Sequence, residues 1–128
     1  MVRHAYTLIV ALLATFVAAI FAMTAFGSAT PIKTLPSGPV TATSTSTGQL
    51  TAVALPHPRG AYRGYVWRLA RTYDKRVVKE VSEADIGSNV VIVYRVVGRG
   101  HTSLVYGLTH GDSSSIAVKS VTHRIQAN

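Results

Sequence analysis

The chain has 128 residues, no cysteine and a net charge of +8, from 13 Lys and Arg against 5 Asp and Glu. This length provides for one domain, and the lack of cysteine excludes a disulfide framework and thiolate zinc sites. The basic balance is compatible with an anionic partner, but net charge concerns encounter and solubility and does not identify that partner.

Residues 1–29 have the pattern of an export segment. Arg3 and His4 form a short positive region, and the run from Ala5 to Phe26 carries no charge. Its densest part fits the ~7–15 residues of a signal-peptide core, and Gly27-Ser28-Ala29 supplies the small residues of a cleavage site. The run also approaches the ~20 residues that span a bilayer, so an uncleaved anchor helix is the alternative. We therefore predict a protein that is secreted or membrane-anchored on the extracytoplasmic side.

The composition changes after the export segment. Residues 30–47 are dominated by Thr, Ser, Pro and Gly, which is typical of a flexible stalk. The threonine-rich part from Pro39 to Thr47 also favours extended structure. We predict a stalk that extends to about Pro36, and we interpret the threonine-rich part as a first edge strand. The folded domain is predicted over residues 48–128.

That domain consists of short apolar runs separated by turns. In the segment from Tyr65 to Arg71, the large apolar side chains are Tyr65, Trp67 and Leu69, while Arg68 and Arg71 can face water. This period of two marks a half-buried strand. The run VVIVYRVV at residues 90–97 is the strongest strand prediction. Further strands are predicted at residues 49–55, 76–81, 102–108 and 116–125, whereas residues 82–86 are helix-like but too short for a helix.

Strands at this spacing predict an all-β fold, an immunoglobulin-like sandwich of about seven or eight strands. Trp67 lies within an early strand, as in that fold, and Tyr94 and Leu104 have the inward phase of theirs. We expect Trp67, Tyr94 and Leu104 to be buried together between the two sheets.

Three motifs suggest catalysis or ligand binding, but each lacks residues or a structural context that its chemistry requires. Gly111-Asp112-Ser113 is similar to the nucleophile region of trypsin-like proteases, but serines replace the two following glycines that would shape an oxyanion hole. Gly98-x-Gly100 lies between two strands, whereas phosphate-binding versions open a helix. His101 and His110 lie at opposite ends of one predicted strand, and His57 and His123 have no carboxylate at ligand spacing. We therefore predict no enzyme, no catalytic residues, no metal site and no cofactor.

The stretch from Gly48 to Ile125 resembles the chagasin family, the immunoglobulin-like inhibitors of papain-type cysteine proteases. The family pattern Leu-Pro-x-Asn-Pro-Thr-Thr-Gly-Tyr-x-Trp corresponds here to the segment from Leu55 to Trp67. Its later alternating strands and glycine turn correspond to Ile92-x-Tyr94-x-Val96, Gly98-Arg99-Gly100 and Leu104-x-Tyr106-x-Leu108.

The resemblance implies an exported inhibitor whose three loops, at one end of the sandwich, wedge into the cleft of a papain-type protease. On this chain the loops would be residues 56–64, 82–89 and 109–115. The corresponding protease-binding residues would be Pro56, His57, Pro58, Gly64, Tyr65, Gly87, His110, Gly111 and Asp112.

The departures from the family fall on those loops. His57 stands where the family has Asn, and residues 59–63 replace and lengthen its Thr-Thr turn. Its Arg-Pro-Trp loop is absent, and His110-Gly111-Asp112 occupies that place. A fold does not carry its function once the site has changed. An alternative therefore stays open, namely an extracellular envelope or adhesion module that binds an anionic surface or polymer through a basic face of Arg63, Arg68, Arg71 and Arg76.

Overall fold

A computed structural model of the chain describes residues 29–128. The predicted export segment, residues 1–29, lies outside these apart from Ala29. None of the helices in residues 29–128 has the length and hydropathy that crossing a bilayer requires. The described residues form a one-turn 3₁₀ helix, Gly60–Tyr62, and seven strands: β1 (Val40–Thr45), β2 (Leu50–Pro56), β3 (Val66–Leu69), β4 (Val78–Ile86), β5 (Asn89–Val96), β6 (Gly100–Thr109) and β7 (Lys119–Ala127).

The seven strands of residues 29–128 form two sheets, with the order β1-β7-β6-β3 in one and β2-β5-β4 in the other. The pairing is antiparallel except for β1, which runs parallel to β7. The predicted immunoglobulin-like β-sandwich is confirmed. Because β2, β4 and β6 end at the same end of the sandwich, the β2–β3, β4–β5 and β6–β7 connections all lie there, and we call this end the loop end.

The core lies between the sheets and is built from alternate residues of each strand, as the period-two pattern requires. Tyr94 and Leu104 are fully buried in it, as predicted, and the Tyr94 and Tyr106 hydroxyls hydrogen-bond to each other. Trp67 is only half-buried and packs against the edge of this cluster, because it lies near the start of β3, an edge strand. The cluster comprises Val53, Leu55, Val77, Val78, Ile92, Tyr94, Val96, Leu104, Tyr106, Ile125 and Ala127.

Strand β4 is longer than its sequence suggests. Residues 82–86, expected in a loop, pair with β5 from Ser82↔Val93 to Ile86↔Asn89, after a bulge between Glu80 and Ser82. The sequence does not predict this part of the strand, because its carboxylates interrupt the apolar pattern. An edge strand tolerates such charges along its length. The middle loop is therefore a two-residue hairpin, Gly87-Ser88. Gly87 has a φ of 60° at the position where a type II′ turn takes glycine.

Residues 30–36, which the composition assigns to a stalk, lie against the outer face of the larger sheet, and we call them the strap. Ile32 is buried, and its Cδ1 lies 3.0 Å from where a Cβ on Gly107 of β6 would be. Lys33 and Thr34 both donate backbone N–H groups to the Ser115 carbonyl, at 2.8 and 3.1 Å. Composition misses this packing because one buried isoleucine among Thr, Ser and Pro changes the average very little.

Candidate functional site

The first connection at the loop end, residues 57–65, is held in shape by its own backbone. Around the 3₁₀ turn, the Arg63 N–H donates to the Gly60 carbonyl at 3.1 Å and the Tyr65 N–H donates to that of Tyr62 at 3.0 Å. Gly64 has a φ of 88°, a conformation that glycine adopts without steric cost. These bonds turn the chain so that the rings of Tyr62 and Tyr65 meet edge to face, with centroids 5.4 Å apart.

The first connection is joined to the second by two contacts of His57. Its backbone N–H donates to the Ser88 carbonyl at 2.9 Å, and its Nε2 lies 3.3 Å from Oδ1 of Asp85 at the end of β4. The Asp85 side chain is largely exposed, so this side-chain contact contributes little to stability. The backbone hydrogen bond from His57 to Ser88 is the contact that joins the two connections.

The third connection, residues 110–118, lies against the first through aromatic contact. The His110 ring meets the Tyr65 ring with centroids 5.0 Å apart, and Nζ of Lys119 lies 4.7 Å from the centroid of the Tyr62 ring. We call Tyr62, Tyr65, His110 and Lys119 the aromatic cluster. It brings residues from two connections and from the start of β7 into one patch, in which Tyr62 and Tyr65 are half-buried and His110 and Lys119 are exposed. A cation placed over a ring in this way stabilises by about 0.5–1 kcal/mol at exposed sites.

Arg68 holds the third connection from beneath. Its guanidinium donates to the carbonyls of Gly111 and Ser114, at 3.3 and 3.1 Å, and to that of Thr30 in the strap. The strand pattern suggested that Arg68 faces water. In the structure Arg68 is instead half-buried and lies under the strap. Gly111 itself has a φ of 74°, and its N–H donates to the Thr109 carbonyl at 3.0 Å.

A cavity of about 420 Å³ opens at the loop end between the first and second connections. Trp67 lies in its wall, with its indole Nε1 donating to the Pro56 carbonyl at 2.8 Å. The wall combines proline, aromatic and cationic side chains: Pro56, His57, Pro58, Arg59, Tyr62, Trp67, Ser88, Leu108 and Lys119.

All of the protease-binding residues predicted from the resemblance thus lie at one end of the sandwich. The sequence-based interpretation missed Tyr62, Asp85, Ser88 and Lys119, whose contacts join the connections. Tyr62 could have been found as an aromatic residue within the lengthened turn. Lys119 carries no sequence signal, because only the register of β7 brings it beside Tyr62.

The four arginines of the predicted basic face do not form one surface. Arg63 lies in the first connection at the loop end, while Arg68 and Arg71 donate to strap carbonyls. Arg76 pairs with Asp74, Nε to Oδ1 at 3.1 Å, and its hydrogen bonds hold the pKa of that carboxyl below the ordinary value. Among residues 29–128, no three His, Asp or Glu side chains are grouped so as to hold a metal ion.

Comparison with known proteins places the fold. No protein-family model matches the chain, and no curated protein matches it in sequence. Among solved structures, it is similar to the cysteine protease inhibitor EhICP2 from Entamoeba histolytica, with a TM-score of 0.52 and 14% identity over 73% of this chain and 99% of that one.

A second similar structure is PbICP-C in complex with falcipain-2, with a TM-score of 0.54 and 13% identity over 77% of this chain and 95% of that one. At these identities the likeness concerns the fold and leaves the residues of the site to be judged on their own geometry. About three quarters of the chain therefore shares the fold of two proteins, each matched over nearly its whole length; one is a named cysteine protease inhibitor and the other is seen bound to falcipain-2.

Proposed function

We propose that this domain inhibits papain-type cysteine proteases by inserting its loop end into the protease cleft. The observation that carries the proposal is the mutual attachment of the three connections, through the His57–Ser88 hydrogen bond and the Tyr65–His110 ring contact. The shared fold with a cysteine protease inhibitor and with PbICP-C in its falcipain-2 complex adds to it.

The attachment matters because binding by loops loses affinity to ordering entropy, about 0.5–1.5 kcal/mol for each immobilised side chain. At this loop end the connections are already tied to one another and to β3, so little further ordering accompanies docking. The end is also narrow, since the middle connection has only two residues, Gly87-Ser88. A narrow, braced projection suits a cleft better than a flat surface.

The anchors in this proposal are the aromatic cluster and the hairpin tip. Interface energy is concentrated in a few Tyr, Trp and Arg residues, and Tyr62 and Tyr65 are the aromatic side chains presented at the loop end. They would compensate in part for the absent Arg-Pro-Trp sequence. The domain should therefore inhibit, but less tightly than an inhibitor that keeps such an anchor, by about 30- to 1,000-fold for an aromatic worth about 2–4 kcal/mol.

The test is steady-state inhibition of a panel of papain-type proteases by the chain starting at Ala29. Tyr62→Ala and Tyr65→Ala should each weaken inhibition by about tenfold or more, as for interface aromatics. The matched control is Val97→Ala, a partly exposed side chain in the β5–β6 turn at the opposite end, which should leave inhibition unchanged. If all three variants behave like the parent, the loop end is not the binding surface.

The anionic-partner alternative has weaker support, because three of its four arginines already bond to groups of the chain. Its readout is salt-dependent binding to anionic vesicles or DNA, weakened by Arg63→Ala. If the domain inhibits no papain-type protease but shows such binding, the anionic-partner alternative replaces the protease proposal.

A further inference from the structure

A second cavity lies between the strap, the end of β3 and the start of β4. Its volume is about 380 Å³, within the range of about 300–1,000 Å³ that is usual for small-molecule sites. Pro31 and Ile32 of the strap, with Leu69 and Tyr73, form the apolar part of its wall. None of the residues that line it belongs to the three connections of the loop end, so this cavity is a separate feature of the domain.

The segment that follows β3 is fixed in place as one wall of this cavity. The Asp74 N–H donates to Oγ1 of Thr102 in β6 at 2.8 Å. The Tyr73 ring meets the ring of buried Tyr94 edge to face, with centroids 5.7 Å apart. A ligand would therefore enter a cavity that is already formed, and its binding would lose little affinity to ordering of the chain.

Charged side chains of both signs line the cavity. Arg71 and Lys75 are the cations, and Glu80 supplies a carboxylate. Neither of the two ion pairs found within residues 29–128 involves any of these three side chains. The Arg71 guanidinium donates to the carbonyls of Ile32 and Ala70, at 2.9 and 2.7 Å, and both bonds come from Nη1. Its Nε and Nη2 can therefore donate to a ligand.

The Glu80 carboxyl is unfavourable for the empty domain. It is half-buried, and burial, followed by the charge of Glu83, raises its pKa. Burying a charge without a partner costs stability, and an uncharged side chain of the same shape would not carry that cost. A carboxyl of this kind that lines a cavity, beside cations with which it does not pair, is typical of a ligand-binding position.

We propose that this cavity binds a small zwitterion with an aliphatic body, either a free amino acid or a short peptide. The ligand ammonium pairs with Glu80, its carboxylate pairs with Arg71 and Lys75, and its aliphatic part lies against Ile32 and Leu69. An anion alone would leave Glu80 unpaired, and a cation alone would meet repulsion from Arg71 and Lys75. This site goes beyond the proposed function and does not depend on it.

The test is titration by NMR of the chain starting at Ala29, which contains the seven strands and the core cluster. Leucine and leucyl-leucine are the zwitterionic probes, and the tighter of the two identifies the source as a free amino acid or a peptide. The matched probes are 4-methylpentanoate, which is leucine without its ammonium, and 3-methylbutylamine, which is leucine without its carboxylate.

At least one zwitterion should bind about tenfold or more tightly than either singly charged probe, because a lost contact to a charged group costs about that factor or more. The amide signals of Ile32, Arg71 and Glu80 should shift on binding. Failure of both zwitterions to bind, equal binding of a singly charged probe, or shifts confined to other residues would overturn the proposal.

Variants then assign the two charge contacts. Glu80→Gln should weaken zwitterion binding about tenfold or more without weakening that of 4-methylpentanoate, since only the ammonium contact is lost. Arg71→Gln should weaken it without weakening that of 3-methylbutylamine. The matched control is Glu83→Gln, which removes a neighbouring carboxyl of β4 that does not line the cavity and should leave the affinities unchanged.

Glu80→Gln removes an unfavourable buried charge, so loss of folding does not account for its loss of binding. If this variant binds the zwitterion as the parent does, or if Glu83→Gln weakens binding equally, the proposal is wrong. Inhibition of papain-type proteases is measured separately with loop-end variants, so failure of this site leaves the proposed function standing, and the reverse also holds.

Discussion

The indole Nε1 of Trp67 donates a hydrogen bond to the main-chain oxygen of Pro56 at 2.8 Å. This bond joins β3 to the last residue of β2, across the two sheets, at the point where the first connection begins. A half-buried Trp thus has two effects: its ring packs against the core cluster, and its polar edge fixes the start of a proposed binding loop.

Replacing Trp67 by Ala should destabilise the domain by about 2–3 kcal/mol, less than the 3–5 kcal/mol typical of a fully buried aromatic, because part of the ring is exposed. Trp67→Phe keeps most of the packing but loses the donor, which should cost about 0.5–1.5 kcal/mol. Urea unfolding of both variants measures these values. A Trp67→Ala protein with the urea midpoint of its parent would show that the ring does not support the core.

Replacing Arg68 by Lys should loosen the third connection and the strap together. A lysine amine cannot reach the carbonyls of Gly111, Ser114 and Thr30 in the way that a planar guanidinium does. Hydrogen exchange should therefore rise at the backbone amides of Thr30, Lys33 and Gly111.

The matched control for this change is Arg63→Lys, in the exposed first connection, which should leave exchange at those amides unchanged. Unaltered exchange in Arg68→Lys would mean that backbone bonds alone hold the connection.

The sequence predicted the sandwich because apolar alternation is a direct consequence of burying one face of each strand. It failed at β4, where Glu83 and Asp85 interrupt the apolar pattern of an edge strand, and over residues 30–36, where composition conceals a single buried Ile32. In both places the structure depends on long-range pairing, with β5 and with residue 115 respectively, which a local pattern does not reveal.

For the candidate site, the sequence named segments more than contacts, and the role of those segments stays a prediction. His57, Tyr65 and His110 could be named because they occupy motif positions in the resemblance. Lys119 could not, since its approach to the Tyr62 ring depends on the register of β7 against β6. Arg68 was misjudged because its outward position on the strand suggests solvent, whereas the strap covers it.

Replacing Glu80 by Gln should stabilise the domain more at neutral pH than in acid. Glu80 pairs with Tyr94 on the inner side of β4, and burial, with the charge of Glu83 second, raises the pKa of its carboxyl. A raised folded-state pKa favours the protonated form, so this contribution to stability is complete below the unfolded value near 4.3 and is lost as pH rises through the folded value.

The difference in Tm between Glu80→Gln and the parent, measured from pH 4 to pH 8, should therefore grow with pH. Burial lowers the pKa of His123, so this residue contributes to stability at higher pH, where it is neutral. That contribution is the same in the parent and in the variant. Asp112→Asn, an exposed control, should shift Tm little at any pH. A constant Tm difference for Glu80→Gln would contradict the burial of its carboxyl.

Replacing Gly111 by Pro should disrupt the third connection, whereas His110→Trp should preserve it and strengthen inhibition. Proline fixes φ near −65° and lacks an N–H, while Gly111 has a φ of 74° and donates its N–H to Thr109. A direct graft of Arg-Pro-Trp into this loop is therefore expected to strain it. His110→Trp places a larger ring beside Tyr65, and inhibition assays should show tighter binding; unchanged binding would exclude position 110 from the contact.

If the loop end enters a protease cleft, a protease whose cleft is already filled should no longer bind it. The affinity of the chain starting at Ala29 is measured by calorimetry for a papain-type protease, free and after a covalent active-site inhibitor has occupied the cleft. We predict binding to the free enzyme and a loss of affinity of about 100-fold or more with the filled cleft, equal to about 2.7 kcal/mol. Equal affinity for both forms, or none for either, would show that the loop end does not enter the cleft.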